Sequence, residues 1–196
     1  MTGAADAFAA IERTQLPDIL DCTTDDSKPI LFTRAAIEGS DDELLACNRG
    51  IVNRVIDYVD RPEEISADAL RSMYVELYAR AAAELGWSAY RTRVPREVQV
   101  LALQGLALMD APEHLALAKR AVAGEVDDAE FARLFAAAEA AHPLAHANAE
   151  FLRGLSAKQI ISERNFEVAF SLALGRERGA GTGLLKWTGD LADLPA

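Results

Sequence analysis

Along most of this chain the apolar positions recur every three or four residues, the spacing that gathers them on one face of an α-helix. Leu44, Leu45, Ile51, Val52, Val55, Ile56 and Val59 make one such run, which ends near Arg61–Pro62. Leu70, Met73, Tyr74, Leu77, Tyr78 and Ala81 make the next, and "PREVQVLALQGLALM" from Pro95 a third. Caps and breakers punctuate the pattern. Ser40 with Glu43 forms an S-x-x-E capping box, in which each side chain accepts from the other residue's backbone N–H. Ser66 and Asp110 stand where caps are wanted, and Asp127 with Glu130 repeats the logic before "AEFARLFAAAEAA". Gly86 suits the left-handed residue that follows a helix, where a Cβ would clash, and Gly124 reads as the stop of the helix from Pro112. Pro143 breaks the chain, Gly154 punctuates it, and Ser156 reads as the cap of a last long helix ending at Gly175.

Period-two alternation is almost missing, and the short "PILF" is the only strand candidate. The pattern therefore predicts an all-α protein, a single multi-helix domain of about eight helices over residues 30–175. Residues 1–29 read as an N-terminal helix and acidic linker, and 176–196 as an irregular tail whose Leu184, Leu185 and Trp187 are available to dock on the body. Alanine is dense from Ala129 to Ala149, which lets helices approach closely.

Composition narrows the function. With 51% hydrophobic and 26% charged residues the chain has material for a core, which argues against a disordered protein. The net charge of −11 disfavours direct binding to nucleic acid or an anionic membrane and favours a basic partner. Residues 1–70 hold most of that excess, and 124–150 a second share. Cys22 and Cys47 are too few and too ill-spaced for a disulfide framework or a CxxC site, so free thiols in a reducing cytoplasm are expected. "MTGAADAFAAIERT" has no basic and apolar signal pattern, and no run approaches the length of a membrane span. A cytoplasmic protein is the expectation.

Candidate chemistry is sparse. His142 and His146 lie four apart with Glu139 and Glu150 nearby, a spacing that could face a metal. Pro143 interrupts the register between them, and no glutamate follows the first histidine as metalloprotease chemistry requires. A polar helix junction is expected there, with no metal and no cofactor. His114 is expected at the surface. "GAGTG" from Gly179 to Gly183 follows an apolar helix and lacks a Walker lysine, so it reads as a linker. Arg91, Arg93 and Arg96 form a small basic cluster suited to the chain's own acidic segment or to an anion at a helix start. No nucleophile elbow is present, and an enzyme is the less favoured class. A small helical enzyme or small-molecule-binding protein with a site near His142, His146 and Glu150 is the alternative to an interaction protein.

One stretch carries a resemblance. "ELGWSAY", with the helix before it and "LALMDAPEHLALAKRA" after it, resembles the DNA-mimic protein family of small acidic all-α bacterial proteins. That family's pattern sets an Asn–Gly–Gly–aromatic–x–Gln–aromatic turn between helices, and a second break before a further helix. Gly86, Trp87, Tyr90 and Ala111 keep their places over about residues 66–123, whereas Glu84, Leu85 and Ala89 replace the asparagine, a glycine and the glutamine. The resemblance implies a structural role for the kept residues and a basic DNA-binding protein as partner, with no direct contact to nucleic acid. Carboxylates three or four apart on a helix sit about 5–6 Å from each other, so a cluster can approximate a row of phosphates. The candidates are Asp41, Asp42, Glu43, Asp57, Asp60, Glu63, Glu64 and Asp68. The oligomeric state is not set by the sequence, and a homodimer stays open.

Overall fold

Residues 67–85 contain no glycine or proline and are rich in Ala, Leu, Arg and Glu, all strong helix formers. They form the longest helix of the protein, and its buried positions run around nearly the whole circumference. A helix buried on all sides must be wrapped by others. That requirement organises the chain.

The computed structural model describes residues 30–56, 65–162 and 184–195. In chain order these residues form β1 (Ile30–Thr33), α1 (Arg34–Glu38), α2 (Asp41–Ile56) and the central α3 (Ala67–Leu85). Then follow α4 (Trp87–Arg93), α5 (Arg96–Leu108), α6 (Pro112–Val122), α7 (Asp128–Ala141), α8 (Leu144–Gly154) and β2 (Lys158–Ile161). The protein is mostly helical, with eight α-helices among the described residues. Helices α2, α4, α5, α7 and α8 all pack on α3.

The closest of these approaches is α3 against α5. A Cβ at Gly105 would lie 2.5 Å from Val75 Cγ2 and 3.1 Å from the Arg71 carbonyl oxygen, so only glycine lets the two backbones meet. Polar side chains fix the other neighbours. Asn48 of α2 donates to the Ala69 carbonyl at 3.0 Å, and Asn148 of α8 to that of Ser72 at 2.9 Å. Both asparagines are buried, so each amide binds where water cannot compete.

The turn at Gly86 joins two helices to the core. Gly86 has φ 83° and ψ 169°, a region essentially restricted to glycine, and it ends α3 and starts α4 in one residue. Trp87 and Tyr90 are buried beyond it. Trp87 lies 5.4 Å from Phe131 and 5.6 Å from Tyr90, and Tyr90 meets Tyr78 edge-on at 5.4 Å, which joins α3, α4 and α7 through one aromatic cluster. Asp127 caps its own helix, accepting from the Glu130 N–H at 2.8 Å. Asp128 instead accepts from the N–H and hydroxyl of Ser88, both at 2.9 Å, and so caps α4 from a distant part of the chain. The Ser40–Glu43 box forms as the sequence predicts, with Glu43 accepting from the Ser40 N–H at 2.8 Å and Ser40 Oγ accepting from the Glu43 N–H at 3.3 Å.

Several expectations are corrected. Ser66 occupies the cap position of α3, but its hydroxyl makes no cap bond. Asp110 does not cap α6. It sits at φ 51° directly after α5, and the Ala111 N–H reaches back to the Leu106 carbonyl at 3.3 Å. That closure places Asp110 at the left-handed residue of a helix stop, which aspartate tolerates better than most side chains. Buried Ala111 takes the start of α6. Gly124 behaves as expected, at φ 71°, with the Glu125 N–H closing onto the Arg120 carbonyl.

No helix begins at Ser156. Lys158 to Ile161 instead pairs in parallel with β1, Ile30 opposite Lys158 and Thr33 opposite Ile161. Lys158 Nζ turns back onto the Leu155 carbonyl at 2.8 Å and onto that of Arg153, covering the open end of α8. The short "PILF" candidate is thus a strand in part, and it puts Ile30 and Phe32 into the core. The expected N-terminal helix, the approach to Arg61–Pro62 and the long helix to Gly175 lie outside the described residues. Among those described, no helix is long and apolar enough to cross a membrane.

The glycines offer a paired test. Gly50 lies exposed in α2 with open space around its missing side chain, so Gly50→Ala should raise stability by about 0.5–1 kcal/mol through helix propensity alone. Gly105→Ala brings the same propensity gain but forces α3 and α5 apart, and overpacking of about 1–3 kcal/mol should prevail. Thermal melts should move in opposite directions; two shifts of one sign would show that the α3–α5 contact is not the tight one.

Candidate functional site

Of the carboxylates expected to form an exposed row, three of the four that are described are engaged. Asp41 binds Arg153 Nη1 at 2.6 Å and His146 Nδ1 at 2.9 Å, and Arg153 also donates to the Gly39 carbonyl and to Glu150. These hydrogen bonds hold the Asp41 carboxyl below its ordinary range and raise Arg153. Glu43 is lowered by its bonds from Ser40. Asp42 is exposed. Asp68 is not a surface residue: it is buried and paired with Arg71 at 2.9 Å, and Arg71 Nε reaches Gln104 of α5 at 3.2 Å. Asp68 therefore serves α3 from within. Asp57, Asp60, Glu63 and Glu64 lie outside the described residues.

The histidine junction comes apart in space. His142 Nδ1 faces Glu113 at 3.6 Å, His146 faces Asp41, and Glu150 faces Arg153. Pro143 separates α7 from α8, so the two imidazoles serve different neighbours. Among the described residues no three His, Cys, Asp or Glu side chains gather as metal ligands. Cys47 is a free, half-buried thiol, and Cys22 lies outside the described residues.

The buried histidine is the one expected at the surface. His114 is 0% exposed, edge-on to Phe135 at 5.2 Å. Its Nε2 lies 3.2 Å from the His142 carbonyl oxygen and 3.4 Å from Glu139, whose carboxylate also accepts from the Leu144 N–H. Both neighbours of Nε2 are acceptors, so that nitrogen carries the proton of the neutral ring and Nδ1 faces the core bare. Burial lowers the His114 pKa against the opposing pull of Glu139. The signal was slight, for a histidine three residues into a helix reads the same on either face.

Two surface features were not foreseen as sites. A groove of about 340 Å³ runs between α6 and α7. Ala116 and Leu117 on α6 line it with Leu134, Ala137, Ala138 and Ala141 on α7, positions that repeat at three, four and seven. Glu113 stands at one end and Arg120 at the other, the latter held by Glu130 at 3.1 Å and Glu125 at 3.8 Å. Alanine density was visible in the sequence, but only folding shows that its stripe meets a second one.

The other feature is the docked tail. Trp187 is buried against α2, with the Arg49 guanidinium 5.4 Å over its ring, and Arg49 is also paired with Glu76 of α3. The expected docking of Leu184, Leu185 and Trp187 is observed, Trp187 inserted most deeply and the two leucines packed on the core edge. Arg93, from the basic cluster, donates to the carbonyls of Pro195 at 2.9 Å and Leu194 at 3.2 Å.

Acidification should read out His114. Its pKa is lowered on folding, so below the unfolded value of about 6.5 the unfolded chain binds the proton first and stability falls as pH drops. The loss runs downward from about pH 6.5, at up to about 1.4 kcal/mol per pH unit while one proton separates the states. Asp41, also lowered, adds its own loss only below the ordinary carboxylate range. His114→Gln should flatten the melting temperature between about pH 6.5 and 5 relative to wild type. An unchanged slope would mean that His114 does not titrate with folding.

Set against protein-family models, curated proteins and solved structures, the chain matches none.

Proposed function

We propose that this is a non-enzymatic acidic interaction protein, which takes a basic amphipathic helix of a partner into the groove between α6 and α7. The observation that carries this reading is the groove itself: an alanine-floored trough between two helices, with Glu113 at one end and the ion-paired Arg120 at the other. Small side chains leave room for a partner's Leu or Met, in the helix-in-groove mode. Arg120 is paired with Glu125 and Glu130 beside the groove and Glu113 stands at the other end, and the net charge of the chain favours a positively charged helix. The lining lacks the few convergent polar groups with which a small-molecule site fixes its ligand. His142 turns to Glu113, away from His146 and Glu150, which both join the Asp41–Arg153 pair, and this separation gives the enzyme alternative less support. DNA mimicry would be one form of this function, with a basic DNA-binding protein as partner. Of its candidate row, Asp42 and the four carboxylates outside the described residues would have to supply the phosphate-like charge.

Calorimetry with a synthetic Leu/Lys amphipathic helix of about five turns, beside a Leu/Glu counterpart, tests the groove. The basic peptide should bind at least about tenfold more tightly, and the difference should shrink with salt. Ala116→Gln with Ala137→Gln, both at exposed helix positions, should abolish binding without altering the helical spectrum. Equal affinity for the two peptides, or a double variant that binds like wild type, would remove the proposal. A basic protein captured through the groove and released by duplex DNA would extend it to DNA mimicry; release by salt alone would confine it to helix docking.

A further inference from the structure

The tail sets Trp187 and Leu194 into the core and adds polar bonds to its own backbone, and it lies on other helices than the α6–α7 groove. Asn53 of α2 donates through Nδ2 to the Trp187 carbonyl at 2.6 Å and accepts at Oδ1 from the Trp187 N–H at 3.0 Å. One side-chain amide thus satisfies both polar groups of a single tail residue, as a neighbouring strand would. Tyr74 of α3 donates its hydroxyl to the Leu185 carbonyl at 2.9 Å, and Arg93 of α4 takes the carbonyls of Leu194 and Pro195. Each of these bonds falls on tail backbone, and backbone is common to every peptide.

Side chains add a short code. Trp187 is 1% exposed, while Lys186 and Thr188 on either side face solvent, the alternation of an extended segment. Arg49 lies over the indole, and two residues on Gly189 passes the same guanidinium. A Cβ at Gly189 would meet Arg49 Cζ at 3.3 Å, and its φ of 103° is one that side chains disfavour. The pattern read is therefore Trp-x-Gly in an extended chain.

We infer that the face of α2, α3 and α4 presenting Arg49, Asn53, Tyr74 and Arg93 is a peptide-binding groove. The segment Leu184–Pro195 is its intramolecular ligand, displaceable by an extended Trp-x-Gly segment of a partner. Main-chain recognition gives affinity, the indole gives register, and the glycine excludes bulkier sequences. A tethered ligand competes at an effective concentration of the order of mM, so the groove is closed to weak peptides until the tail is loosened.

The test uses the full chain and a labelled synthetic peptide, LLKWTGDLADLPA, followed by fluorescence anisotropy. Two variants loosen the tail independently, Trp187→Ala by removing the anchor and Gly189→Val by blocking the turn at Arg49. At least one of them should keep its helical spectrum and bind the peptide at least about tenfold more tightly than wild type does. Adding Asn53→Ala to that variant should remove binding, and the same peptide carrying alanine for its tryptophan should not bind. Uptake by neither variant, uptake indifferent to Asn53→Ala, or collapse of both spectra would each overturn the proposal, the last because the tail would then be part of the core.

Discussion

The pairing of Arg71 with Asp68 inside the bundle is the constraint on which the rest of the structure turns. An arginine buried to this degree cannot be left without partners, and Asp68 alone, one turn before it, leaves guanidinium N–H groups to satisfy. Gln104 takes Nε, which requires α5 to lie close against α3 at this level. The next residue of α5 is Gly105, whose missing side chain is what allows that closeness. The charge pair and the glycine are thus one device. Once α5 is seated, Asn48 and Asn148 bring α2 and α8 onto neighbouring carbonyls of α3, and the aromatic cluster brings in α4 and α7.

How much of this was legible in the sequence depended on the range of the interaction. Local ones could be read. The capping box at Ser40, the Asp127 cap and the stops at Gly86 and Gly124 involve residues within a turn or so of each other, and they bounded the helices well. Long-range ones could not. β2 is a strand because it meets β1, more than a hundred residues earlier, and "KQII" on its own continues a helical pattern. Asp68 reads as an exposed first-turn acid until Arg71 is found buried beside it. His114 reads as surface until α7 and the His142 that follows it close over it. Local signals also had their failures: Ser66 makes no cap bond, and Asp110, a cap by sequence, ends the preceding helix instead, because a backbone angle is not written in residue type.

The acidity that dominates the composition has a different meaning once its partners are placed. Glu43 and Asp127 satisfy their own helix starts, Asp128 satisfies that of α4, and Asp41 ties the start of α2 to the end of α8 through Arg153. Carboxylates at helix N-termini meet unpaired N–H groups and the positive end of the macrodipole, so part of the negative charge is structural. Net charge still sets the long-range field and the sign of partner that approaches. It does not by itself say where that partner binds, and the shape of the surface has to supply that.

The two shapes on offer use different physics. Between α6 and α7 the surface is small apolar side chains with charge at the ends, suited to burying the face of a helix. On α2, α3 and α4 it is amide, phenol and guanidinium groups aimed at backbone, suited to an extended chain. Helix α3 packs against α7 as well as against α2 and α4, so it connects both faces. Coupling between two sites needs an element with two arrangements that each ligand biases differently. With an ion pair inside and Gly105 leaving no slack against α5, the first half of α3 is held in place, and only Arg80, Ala83 and Glu84 near its end face solvent. The same packing that makes α3 the centre of the fold therefore argues that a segment bound on one face would leave the other unchanged.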